Sequence, residues 1–209
     1  MLALPIVSIL ADTPDDLTDQ SAYLVIHNTT DDYSTTGGPS SIEVKDADDN
    51  VISPVGNEYN DVPADATISL EYVFHLEDGD GEGEFYSYSD SNYFTITLPE
   101  GIDFAYTIGQ TYDIIAEDSS TGSWILGTWQ FLDSNTMRVD FNAEVDTHHN
   151  MWGKININGT FHELGTDDDT STEIVFGSQV ITIHREVPPL PEIELSKSGV
   201  YNASSNDIT

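Results

Sequence analysis

Apolar and polar residues alternate with a period of two along most of this chain. The clearest run is 137 to 146, where Met137, Val139, Phe141, Ala143 and Val145 alternate with Arg138, Asp140, Asn142, Glu144 and Asp146. A period of two puts successive side chains on opposite faces of an extended strand, so one face is core and the other meets water. The same parity collects Ile68, Leu70, Tyr72, Phe74 and Leu76 on one side of a second strand. Phe94, Ile96 and Leu98 share a side of a third, and Ile155, Ile157 and Phe161 of a fourth. Further strands are expected at 42–45, 112–116, 123–131 and 180–184. No stretch carries a sustained helical period.

Turn chemistry divides these runs: TTGGPSS at 35–41, Asp49-Asn50, DGDGEGE at 78–84, Pro99-Glu100-Gly101, 119–122, and GTDDDTST at 165–172. Seven or more short strands, each apolar on one side, are what two antiparallel sheets packed face to face require. The expected fold is all-β, an immunoglobulin-like antiparallel sandwich followed by the first strand of a second, truncated β-domain. In detail, residues 1–11 (MLALPIVSILA) read as the remnant of a secretion signal. Their apolar run stops abruptly at DTPDD, although the positive start is missing and a buried first strand is the alternative. Residues 12–187 form the sandwich domain. Residues 188–191 (PPLP) make a stiff linker, and 192–209 begin the next domain.

Charge sharpens this picture. The chain has 38 acidic against 5 basic residues in 209, a formal charge of -33. Such a surface repels phosphate backbones and anionic lipid, so neither nucleic acid nor a membrane surface is an expected partner. It also keeps an exported protein soluble, or it meets a cationic partner. With 38% hydrophobic residues the chain is not disordered by composition. It has no cysteine, which excludes disulfides, thiolate metal sites and cysteine nucleophiles.

Lys197 is the most informative single side chain. It shares parity with Ile193 and Leu195, so the alternation aims it inward. A buried ammonium tends to lose its proton and become a nucleophile, and beside an Asn carboxamide and a carboxylic acid it could form an intramolecular isopeptide bond. The alternative is a lysine that snorkels out at a strand end. Lys45 and Lys154 have the opposite parity to their apolar neighbours and belong on the solvent side. Calcium is the one cofactor left open: Asp78, Asp80 and Glu82 begin like a calcium loop, but Ser89 stands where the bidentate glutamate is needed. Asp167, Asp168 and Asp169 carry no specific ligand spacing. The adjacent His148 and His149 would face opposite ways in a strand. Trp124 and Trp129, five positions apart, would also oppose each other in an unbroken strand, with at least one in the core. A carbohydrate-binding surface would instead show Trp124, Trp129 and Trp152 as exposed coplanar rings. No nucleophile elbow, phosphate-cradling glycine loop or His-x-x-x-His pair occurs, and the chain is expected not to be an enzyme.

Four stretches together carry a family resemblance: VPADATISLEYVFHL, YFTITLPEGIDF, NTMRVDFNAEVDTHHNMWGKININGTF and PPLPEIELSKSGVYNASSNDIT. Over most of residues 42–209 the chain resembles the amino-terminal adhesive region of Gram-positive cell-wall-anchored adhesins of the collagen- and fibrinogen-binding type. The resemblance implies a secreted, cell-surface, non-enzymatic module that binds a host or matrix protein, or a glycan, together with the following domain. It also implies that Lys197, in LSKSG, is the isopeptide lysine of that domain, with its Asn and acid partners beyond Thr209. The alternatives are a structural stalk or pilus-like spacer without its own ligand, and a carbohydrate-binding module.

Overall fold

The computed structural model describes residues 16–77, 92–118, 122–146, 151–162 and 170–186, together with the backbone of 201–202 and 207–208. Among the described residues thirteen strands build the main body: β1 (Leu24–Ile26), β2 (Ser41–Lys45), β3 (Val51–Ile52), β4 (Glu58–Val62), β5 (Thr67–Leu76), β6 (Tyr93–Thr97), β7 (Ile102–Phe104), β8 (Thr111–Asp118), β9 (Gly122–Phe131), β10 (Thr136–Phe141), β11 (Trp152–Phe161), β12 (Ser171–Phe176) and β13 (Gln179–Arg185). Two-residue strands β14 (Tyr201–Asn202) and β15 (Asp207–Ile208) pair only with each other. The only helical element among the described residues is a 3-10 turn at Ala143–Asp146.

The larger sheet runs β3-β2-β5-β11-β8-β9-β10-β6, with β1 and β7 added beside β5 and β11. It rolls over on itself, so that Phe74 of β5 meets Phe94 of β6 at 5.0 Å between ring centroids and Phe141 of β10 at 6.1 Å. A smaller sheet, β12-β13-β4, closes over the remaining opening, with Phe176 against Tyr72 at 4.9 Å. Its β4–β13 pair is parallel, whereas the pairings of the larger sheet are antiparallel. The architecture is the expected immunoglobulin-like sandwich.

The alternation sorts the core as expected. Ile68, Leu70, Tyr72, Phe74 and Leu76 are all fully buried, as are Phe94, Ile96, Leu98, Ile155, Ile157 and Phe161. Lys45 and Lys154 lie on the solvent side, paired with Glu43 at 2.7 Å and Glu71 at 3.4 Å. Two details depart from strict parity. After Phe141 the chain coils into the 3-10 turn, which exposes Ala143 and returns Val145 to the core. In β9 the register against β8 skips Leu126, because Ile114 pairs with Gly127 but Ile115 pairs with Ile125. The extra residue of this bulge reverses parity within the strand. Leu126 turns in, and Trp124 and Trp129 both end up on the core side rather than opposed.

Candidate functional site

The two halves of the larger sheet are joined at one point. Strand β11 pairs with β8 only through Gly153 and Ala116, and beyond that bridge the strands splay. Gly153 makes the crossing close: a Cβ there would lie 2.6 Å from the Phe74 ring and 3.0 Å from Ile114. Where the strands part, an open seam of about 410 Å³ is lined by Asp113, Ile115, Trp129, Trp152, Lys154 and Asn156. Trp129, otherwise core, forms its floor, stacked on Tyr112 at 4.6 Å with a 24° tilt. The Tyr106 hydroxyl donates across the seam to the Asn156 carbonyl at 3.0 Å. Burial raises the pKa of this phenol, so it remains a donor.

The lips of the seam follow directly from strand parity. Asp113 and Ile115 are outward positions of β8, and Ile115 and its cross-strand partner Ile125 expose 54% and 46% of their surface. Trp152, Lys154 and Asn156 are outward positions of β11. One face of the Trp152 ring is already covered by Gly37, whose φ of 98° and missing Cβ let the loop lie flat on the indole. The Lys154 ammonium stands 5.8 Å from the same ring. The seam thus presents two indoles, an aliphatic side chain, one cation, one carboxylate and a carboxamide within a single groove.

The loop that supports Trp152 is held from below by a histidine pair, one member buried and the other half-buried. His27 is fully buried, stacked on Tyr33 at 3.7 Å with rings nearly parallel. Its Nδ1 lies 2.5 Å from the Gly38 carbonyl, and its Nε2 lies 2.6 Å from Nδ1 of His75. His75 reaches Glu77 through Nε2 at 3.1 Å and sits opposite Trp152 in the β5–β11 register. A carbonyl only accepts, so His27 carries its hydrogen on Nδ1 and accepts at Nε2 from His75. Burial is the largest influence and, with a smaller push from the neighbouring His75, it outweighs the raising effect of the Gly38 hydrogen bond and holds the His27 pKa below the ordinary histidine value. No parity signal marks this pair in the sequence, since His27 follows a three-residue strand and His75 faces outward from β5.

The positions singled out from sequence are distributed as follows. Lys197, Asp78, Asp80, Glu82, Asp167, Asp168, Asp169, His148 and His149 lie outside the described residues, as do residues 1–11 and 188–191. Among the described residues no group of three or more His, Asp or Glu side chains is arranged to hold a metal ion. The tryptophans do not form a coplanar exposed platform: Trp129 is buried, Trp124 packs against the core, and Trp152 is half-buried. No described helix is long and apolar enough to cross a membrane.

Residues 68–165 match the family of bacterial Ig domains. No curated protein matches the chain by sequence. Among solved structures, the collagen binding domain of Erysipelothrix rhusiopathiae surface protein RspB superposes with a TM-score of 0.51 at 18% identity, over 90% of this chain and 54% of that one. The collagen adhesin CNA from S. aureus aligns at 12% identity and a TM-score of 0.38, over 78% of this chain and 47% of that one. The chain spans about half the length of these structures. The expected resemblance to the adhesive region of Gram-positive surface proteins therefore holds in the fold.

Proposed function

We propose that this chain is a non-enzymatic adhesion module of a secreted bacterial surface protein, and that it grips an extracellular polypeptide in the seam between β8 and β11, acting with the domain that follows. The observation that carries this reading is the seam itself. The nearly buried Trp129 indole floors a gap in the sheet, framed by Ile115, Trp152 and Lys154. An extended polypeptide suits such a gap, because its alternating side chains match strand-lined walls and its backbone can meet polar groups at the lips. The fold shared with a collagen-binding domain supports the same ligand class. The formal charge of -33 disfavours sulfated or otherwise anionic glycans. Trp152, with one ring face taken by Gly37, offers a neutral sugar only half of a stacking site.

The test is retention on immobilised extracellular-matrix proteins, with glycan arrays in parallel. Ile115→Glu alters an exposed group at one lip and Lys154→Gln removes the cation at the other while keeping its stem, and each is expected to weaken binding about 10-fold without loss of stability. Binding unaffected by both variants refutes the seam as the site. Absence of binding to any matrix protein by the chain with its following domain favours the spacer reading, which has no use for a groove.

A further inference from the structure

A second cavity, of about 480 Å³, opens at the end of the sandwich where β7, the β9–β10 turn and the end of β11 converge. Its floor is aromatic. The Tyr106 ring stacks on Phe131 at 5.3 Å with a 15° tilt, and Phe104 contacts Phe131 at 5.9 Å. Ile108 stands at the lip, 61% exposed. The rim is acidic: Glu100, Asp103 and Asp133 all line the opening. The Asp133 charge is secured by the backbone N–H of Asn135, which donates to it at 2.8 Å and, as the leading cause, lowers its pKa. Asp103 accepts from Nε2 of His162 at 2.8 Å. Among the described residues His162 is the only basic side chain on the lining, and its carbonyl is engaged from behind by the guanidinium of the buried Arg185.

We infer that this pocket takes a cationic side chain, lysine or arginine, from a polypeptide partner, with its hydrocarbon stem on the three rings and its charged head among the three carboxylates. The chemistry of the cavity selects that occupant. An apolar side chain would satisfy the floor but desolvate the rim without compensation. An anion would be repelled by the rim and by the surface behind it. A side chain that is apolar along its length and positive at its tip matches both, and the electron-rich ring faces favour a cation further. Among the described residues the surface cations offer no competition: Lys45, Arg138 and Lys154 are each paired with a carboxylate elsewhere. This pocket is separate from the seam, and its assignment stands or falls independently of it.

The experiment is a titration of the isotope-labelled chain, followed by NMR at low ionic strength. The probes are N-acetyl-lysine amide and N-acetyl-arginine amide, with N-acetyl-norleucine amide as the neutral analogue. The cationic probes are expected to shift Tyr106, Ile108 and Asn135 with dissociation constants on the order of 1 mM, and norleucine to bind about 10-fold more weakly. Raising salt to about 1 M should weaken only the cationic probes, because it screens the rim. An Asp103→Asn/Asp133→Asn variant should lose about 10-fold for the cations while the core signals of Phe94 and Met137 stay in place. Glu100→Gln, which touches no turn hydrogen bond, gives the same reading in smaller measure should that double variant fail to fold. Equal binding of norleucine and lysine, or no shift at these residues in the millimolar range, overturns the assignment.

Discussion

The His27–His75 pair makes stability depend on pH in a direction the structure fixes. The perturbation is acidification from pH 8 to about pH 5, with His27→Asn as the control. Asparagine keeps an N–H near the position of Nδ1, and with it the bond to Gly38, but cannot titrate. Burial lowers the His27 pKa in the folded state. The unfolded chain takes up a proton near the ordinary value of about 6.5, while the folded chain still refuses it. Over that interval the unfolded state holds more protons, so stability rises with pH. The contribution is fully present above about pH 6.5 and is lost as pH falls toward the folded value. One proton corresponds to a slope of at most about 1.4 kcal/mol per pH unit. A second proton on His27 Nε2 would set one N–H against another across 2.6 Å, so the folded state can accept it only by breaking the pair. Denaturant melts at half-unit pH steps measure the slope, and subtracting the His27→Asn series removes the background of the many carboxylates. A wild-type excess slope of close to one proton below pH 6.5 is expected. Superimposable slopes for the two proteins would refute the argument.

Other consequences are equally direct. The Tyr72 hydroxyl is buried in the core with no hydrogen-bond partner among the described residues, so Tyr72→Phe is expected to raise stability by about 1 kcal/mol in equilibrium unfolding. Gly37→Ala should destabilise by about 1–3 kcal/mol and alter Trp152 fluorescence, since its Cβ would meet the indole at 2.5 Å and its φ is 98°. Trp129→Ala removes both a core ring and the seam floor, and is expected to cost about 3–5 kcal/mol in the same melts. For Lys197, the intact mass of the protein through its next domain is the check: an isopeptide bond from Lys and Asn releases ammonia, a deficit of about 17 Da.

Much of the fold was legible because a half-buried strand writes its period into the chain. Five residues of β5, from Ile68 to Leu76, and two of β6 with the Leu98 that follows it declare their buried face without any knowledge of their neighbours. What parity cannot reveal is a change of parity. The bulge at Leu126 depends on how β8 and β9 are paired, so the two tryptophans looked opposed when they are not. Strands of two or three residues, such as β1, β3 and β7, are too short to show a period at all and exist because longer strands offer them an edge. The seam was not legible either, since it arises from the single bridge between Gly153 and Ala116, residues far apart in sequence. His27 and His75 are 48 positions apart and become partners only when β1 is laid against the end of β5. The acidic pocket rim likewise collects Glu100 from the turn before β7, Asp103 from β7 itself and Asp133 from the β9–β10 turn.

The parallel pairing of β13 with β4 bears on how this body withstands a pull. Strand β13 is held on one side by the register from Ser171–His184 to Phe176–Gln179, and on the other by β4. A load drawn from its carboxyl end along its axis must slide it past β4 as a unit, rather than peel bonds off one at a time. Resistance of that kind is set by the rate of crossing an unfolding barrier, not by equilibrium stability. A protein without cysteines can thus acquire tolerance to tension from the direction of one strand alone.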